Sequence, residues 1–417
     1  MQGCADGRVK MAQGPHRVFL HIGAPKTGTT YLQHMLFGYR TQLLADGVSY
    51  PADSYDDHFF AAVDLQALDF SGVPRPEAAG AWDRLTARVH AWEGVSVVSH
   101  DVLAGATPEQ ARRAIASFAP AEVHVVLTAR DLGRQLPSHW QEDVKHGQTR
   151  TFRHWYDAIA RREDDDWQLR WFWRVEDLPD MLQRWGSTLP PERVHIVTVP
   201  HPGADEGTLW ARFASVLGVD RDDLDLDVVS HLNRGLGVAE VALLRTIAGL
   251  RDDRLDQRAY EHLVKGVLAH ETLERVDPAG AFGLPPDLLP HVRETSQRWV
   301  QAISAAGYDV VGDLDELLPT DRKDGRLDPD AADAADIARI GAFALYETTV
   351  RLAQEREAAA EHARVLQREL SAAHEVIAEH EGLPAGERVR RTVVEIGRRN
   401  RAVDALLGTY RRLRRRP

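Results

Sequence analysis

Val18-Phe19-Leu20-His21-Ile22-Gly23-Ala24-Pro25-Lys26-Thr27-Gly28-Thr29-Thr30-Tyr31 decides the fold of this chain. An apolar run of strand length leads into a tight loop bearing two glycines, and hydroxyl residues then open a helix. Such a junction aims unpaired backbone N–H groups and the positive end of a helix dipole at an anion, here read as a phosphate. A Walker loop would run G-x-x-x-x-G-K-[ST]. Gly23 and Gly28 have that separation, but Thr29 holds the lysine position and the lysine comes earlier, at Lys26. The shift argues against a standard nucleoside triphosphatase.

Working outward, Val123-His124-Val125-Val126-Leu127 reads as a second parallel-type strand, ending in Thr128-Ala129-Arg130-Asp131 before a helix that carries Ser138. An arginine at the carboxyl end of a strand can grip a phosphate through two parallel hydrogen bonds. Between these motifs, Val95-Ser96-Val97-Val98 leads into Ser99-His100-Asp101. In open parallel sheets ligands bind beyond the carboxyl ends of the strands, so His100 and Asp101 stand where a base is wanted. An imidazole with a pKa near 6.5 suits proton abstraction at neutral pH. His21, on an apolar strand, reads as a satisfied core residue.

The loop resembles the phosphosulfate-binding loop of the sulfotransferase family, whose donor is 3′-phosphoadenosine 5′-phosphosulfate (PAPS). The resemblance covers roughly residues 15–310 and is strongest at 18–38 and 122–146. Its closest likeness is to bacterial members. It implies an α/β, P-loop-like three-layer fold with a parallel central sheet flanked by helices. It further implies that Pro25, Lys26, Thr27, Gly28, Thr29 and Thr30 cradle the 5′-phosphate, with Lys26 stabilising charge on the bridging oxygen as the sulfuryl group leaves. Removing one such preorganised donor costs about a hundred- to a thousandfold in rate. Arg130 and Ser138 match the family's 3′-phosphate pair. A late, basic, glycine-containing segment closes over that phosphate in cytosolic members; Asn233-Arg234-Gly235-Leu236-Gly237 is not a motif match, but Arg234 is a candidate. Cytosolic members use a histidine base and several carbohydrate and bacterial members a carboxylate. This chain offers both; we favour His100, with Asp101 an alternative base or the partner that orients the ring. The scheme requires no metal.

The remaining chain fits a doubly wound domain. Thr107-Pro108-Glu109-Gln110 is a capped helix start, Arg193–Val199 a further strand, Leu209–Gly218 and Val238–Gly249 helices. The aromatic stretch from Trp155 to Trp185 reads first as the face of packed helices and second as an acceptor surface. His139, Trp140, Asp143 and Lys145 are expected to border the acceptor entrance.

At 417 residues and 43% hydrophobic content the chain can bury a large core. Its one cysteine, Cys4, allows no intrachain disulfide, and no segment approaches a bilayer-spanning run, so the sequence reads as cytoplasmic. A formal charge of −12 argues against general nucleic-acid binding. The expected organisation is a disordered 1–14, a sulfotransferase-like domain at 15–311, a linker at 312–336 and a helical region at 337–417. In the last, Leu345, Leu352, Ala359, Leu366 and Ala373 recur every seven residues, a coiled-coil seam that could pair two copies or fold back on the domain. Residues 386–417 carry eleven arginines against Glu387, Glu395 and Asp404, a tail that could meet an acidic membrane surface.

Three functional readings stand. The first is a PAPS-dependent sulfotransferase acting on a hydroxyl of a carbohydrate, glycolipid or small molecule. The second is an atypical P-loop kinase or nucleotide hydrolase, kept open by Asp131. The third is a non-catalytic nucleotide-binding interaction module of the same fold.

Overall fold

Among the described residues, six strands of the computed structural model form one parallel sheet, in the order β2-β3-β1-β4-β5-β6. They are β1 (Arg17–His21), β2 (Val48–Ser49), β3 (Val95–Ser99), β4 (Glu122–Ala129), β5 (Val194–Thr198) and β6 (Asp309–Val311). The structure describes residues 16–69, 75–163, 166–205, 207–221, 223–226, 235–275, 277–278, 280–320, 326–381 and 386.

The sheet is covered on both faces because its strands alternate between two cores. Val18, Leu20, Val98, Val125, Leu127 and Ile196 point into one core. Phe19, Val95, Val97, Val126 and Val197 point into the other. The second is capped by the helices Thr29–Gly38 and Thr208–Leu217, which contribute Leu32, Met35, Leu36, Trp210 and Phe213. On the first pack the helices Ala81–His90, Pro108–Ala116, Leu132–Lys145 and Leu178–Gly186. The α/β reading of the sequence therefore holds, down to the Thr107–Gln110 capping box and the helix Val238–Gly249.

β1 pairs with β3 on one side and β4 on the other, His21 lying opposite both Ser99 and Val126. Chain direction across the sheet reverses here, which is where a parallel α/β sheet opens a crevice for ligand. The three strand ends noted in the sequence thus lie side by side on one edge.

Trp155, Phe172 and Trp185 are fully buried, whereas Trp167 is exposed, so the aromatic stretch is chiefly core. Within 312–336, Leu314–Leu317 forms a short 3-10 helix, Leu317 is buried and Glu316 bonds Arg212 at 2.6 Å. Asp330 accepts from the backbone of Phe152 at 2.8 Å. A long helix, Ala334–Glu381, follows. The chain divides into two compact units, Met1–Ala344 and Leu345–Pro417. In the second unit Leu345, Leu352, Leu366 and Leu370 are exposed along the helix. Residues 387–417, with the arginine-rich tail, lie outside the described residues, as do 1–15. Among the described residues no helix is long and apolar enough to cross a membrane.

Candidate active site

The loop after β1 turns on three left-handed residues, Gly23 (φ 51°), Lys26 (φ 64°) and Gly28 (φ 86°). A Cβ at Gly23 would collide with the Thr29 methyl, and one at Gly28 would come within 2.5 Å of Leu209. Both glycines are required by space as well as by φ. Lys26 has no such licence, and a non-glycine residue held in this region stores local strain of the kind found at ligand-binding turns. Gly28 caps the helix Thr29–Gly38 without a side-chain hydrogen bond, so the first N–H groups of that helix face the loop.

The threonines of the loop divide by role. Thr27 is buried, its hydroxyl donating to Ala24 O (2.6 Å) and lying 2.7 Å from Thr128 Oγ1. Its side chain is committed to the fold, and only its backbone is left for an anion. Thr29 donates to Asp101 Oδ2 at 3.2 Å, tying the loop to the end of β3. Beneath them, His21 bridges Ser99 Oγ (2.7 Å) and Thr128 Oγ1 (3.2 Å), and burial pushes its pKa down to about 3. It is a neutral core residue, as its position on an apolar strand indicates.

His100 and Asp101 sit together where β3 ends. His100 Nδ1 lies 3.2 Å from the Val102 N–H and 3.2 Å from Asp101 Oδ1. These contacts demand opposite tautomers. Accepting from Val102 leaves the proton on Nε2; donating to Asp101 frees Nε2 to act as a base. Burial lowers the His100 pKa from its usual value, so the ring is neutral at pH 7. The geometry keeps both base assignments in play.

At the end of β4, Arg130 donates from Nε to Gln135 Oε1 (2.9 Å) and from Nη2 to Arg134 O (3.1 Å). Burial, then the neighbouring Arg134, pushes its pKa down to about 10, which leaves it charged. Arg130 and Ser138 line one cleft of about 570 Å³, within the range of small-molecule sites. Gly235, Leu236, Phe282 and Arg326 also line it. Arg234 itself lies outside the described residues; Leu236 is held by Gln141, through bonds of 3.0 and 3.3 Å. Asp131 is buried and serves as the helix N-cap, accepting from the Arg134 backbone at 3.0 Å and from its guanidinium.

All four expected entrance residues are instead interior. His139, Trp140 and Asp143 are buried: His139 packs on Trp155 and Phe172, Asp143 lies beside Trp155, and Trp140 packs on Phe152 and Phe282. His139 Nδ1 lies 2.7 Å from Glu176 Oε1, and Trp155 donates to Asp143 at 2.8 Å. Lys145, also buried, bonds Glu274 at 2.5 Å.

Sequence reasoning missed the residue that joins the loop after β1 to the end of β4. Gln135 accepts from Arg130 and donates to the Pro25 carbonyl and to the buried Glu176 carboxylate (2.9 and 3.1 Å). It also missed Glu142, which takes the Lys26 ammonium at 3.1 Å. The only signal available was helical spacing: Gln135, Ser138 and Glu142 fall at i, i+3 and i+7 on one stripe.

No family model matches the chain, and no curated protein matches it. Among solved structures it is similar to the "Sulfotransferase Domain from the Curacin Biosynthetic Pathway", at 14% identity and a TM-score of 0.31, over 72% of this chain and 100% of that one.

Proposed function

We propose that the protein transfers a sulfuryl group from PAPS to a hydroxyl of a carbohydrate, glycolipid or small-molecule acceptor. One observation carries this: the strained, lysine-bearing loop after β1 and the Arg130–Ser138 cleft after β4 lie on adjacent strands at one sheet edge, linked by Gln135. A donor with phosphates at both ends of a ribose needs two such anion sites.

The loop's backbone N–H groups and Lys26 hold the 5′-phosphate. As the sulfur–oxygen bond breaks, its electron pair stays on the bridging oxygen, and the Lys26 ammonium stabilises the charge. Arg130 and Ser138 hold the 3′-phosphate. The acceptor oxygen forms the new bond to sulfur, and its proton passes to His100 or Asp101. Transfer of this type is governed by positioning and electrostatics, by analogy with loose phosphoryl transfer. Asp131, the residue that kept a metal-dependent kinase open, is occupied as a helix cap and by Arg134.

The test is calorimetric titration with 3′,5′-adenosine bisphosphate, with ATP and 5′-AMP as controls, with and without magnesium. Tight, magnesium-independent binding that needs the 3′-phosphate is the expected result. Preference for magnesium–ATP would install the kinase, and binding to none of them the interaction module.

A further inference from the structure

The last turn of the helix Leu132–Lys145 faces a wide, π-type helix, Glu261–Thr272. Helices of this type are rare and concentrate at functional sites. Between them lies a cluster of charges whose centre is Glu142. Its Oε2 is 3.1 Å from Lys26 Nζ and 3.5 Å from Lys145 Nζ. Its Oε1 is 3.0 Å from Lys265 Nζ and 3.6 Å from His146 Nε2. Three ammonium groups, from the loop and from both helices, share one carboxylate.

The partners are not equivalent. Lys145 has a second carboxylate in Glu274 at 2.5 Å, and His146 has one in Glu261 at 2.9 Å. Lys26 and Lys265 are each ion-paired to Glu142 alone among the described residues, and of the two only Lys26 lies on the loop after β1. The Glu142 and Lys26 side chains are 27% and 31% exposed, so this corner of the cluster is the part open to a ligand. Burial by itself would raise the Glu142 pKa, but Lys26, Lys265 and Lys145 together hold it well below the usual carboxylate range.

An ammonium group turned to one oxyanion is not available to another on the same side. We propose that Glu142 is the internal counter-anion of Lys26, holding the lysine at the mouth of the loop in the absence of nucleotide and yielding it to the 5′-phosphate of the donor. This rests on the sulfotransferase reading. Lys145 and Lys265 keep Glu142 in place after Lys26 has left, so the exchange breaks one ion pair of three and reverses on product release. Glu142 acts through Lys26 and is a positioning residue. It sets how tightly the donor is held, and with it how readily the product leaves.

The experiment is a double-mutant cycle on binding of 3′,5′-adenosine bisphosphate, measured by calorimetry on the full chain. Glu142→Gln removes the competing anion and is expected to tighten binding about tenfold. In a Lys26→Met background the same substitution is expected to change affinity by less than twofold, since the loop has no lysine left to turn to the phosphate. Glu142→Asp keeps the charge but shortens its reach to Lys26, and is expected to tighten binding about threefold; it carries the test if Glu142→Gln does not fold. A residue of merely structural role gives no gain in affinity. Unchanged or weaker binding in the folded variants would overturn the proposal, as would an equal gain with and without Lys26. Failure of the unsubstituted protein to bind the nucleotide would instead overturn the sulfotransferase reading.

Discussion

Arg130→Lys separates the two proposed phosphate sites. The guanidinium has five N–H donors, of which Nε is committed to Gln135 and one Nη2 hydrogen to the Arg134 carbonyl. The rest form the fork available to a 3′-phosphate. A lysine keeps the charge but cannot hold Gln135, the carbonyl and a phosphate in one geometry. A hydrogen bond to a charged group contributes about 1.5–3 kcal/mol, and each tenfold in affinity corresponds to about 1.4 kcal/mol. Loss of one arm of the fork should therefore weaken 3′,5′-adenosine bisphosphate by about ten- to a hundredfold. 5′-AMP, which lacks the 3′-phosphate, should bind within about twofold of its original affinity, because a lost Arg130 contact does not concern it. Calorimetry with both nucleotides reads the difference directly. Undiminished affinity for the bisphosphate would refute the contact. An equal loss for both would mean that Arg130 acts by bracing the loop through Gln135 and the Pro25 carbonyl.

Lys26→Ala should lower turnover by about a hundredfold or more while leaving binding of the desulfonated nucleotide much less affected, read as a kcat against Kd split. Gln135→Leu strips a donor from buried Glu176 and an acceptor from Arg130, and should cost about 1–3 kcal/mol for each group left unsatisfied, measured by urea unfolding. His21 and His58 are buried, and burial depresses the pKa of each to about 3, below the value of an unfolded histidine. Their contribution is complete above pH 6.5 and declines as pH falls toward about 3, reaching a loss of about 2 kcal/mol from each by pH 5. Urea midpoints across pH 5–7.5 should show this slope, and it should flatten in His21→Asn. If the seam through Leu345, Leu352 and Leu366 pairs two copies, Leu352→Glu with Leu366→Glu should halve the mass seen by light scattering; an unchanged mass would remove that role.

How far the sequence carries depends on how local each feature is. The strand, loop and helix at 17–38 are specified by neighbours in the chain: alternating apolar residues for two cores, glycines where φ is positive, and hydroxyls at the helix start. They are legible for that reason, as are the ends of β3 and β4. β2 and β6, with two and three residues, are too short to show a period, and they exist because longer neighbours supply their hydrogen bonds. The hydroxyl of Thr27 looked like a phosphate ligand because its inward partner, Thr128, is 101 residues away. His139 and Asp143 looked like entrance residues because a polar side chain in a sequence carries no sign of the carboxylate or indole that will bury it.

Glu142 extends the same argument to function. On its own helix it is one more acidic residue, three and four positions before Lys145 and His146, and that spacing ordinarily marks a solvated surface pair. Only the fold brings it to Lys26, 116 residues distant, and to Lys265 on the π-type helix. A nucleotide loop preceded by a strand can be recognised from its own residues, because the phosphate is bound by backbone that the loop itself provides. The anion that stands in for the phosphate comes from elsewhere in the chain. Its effect on affinity is thus open to selection without any change in the loop, and relatives with the same loop but no acid at this point of the helix should bind the donor more tightly and release the product more slowly.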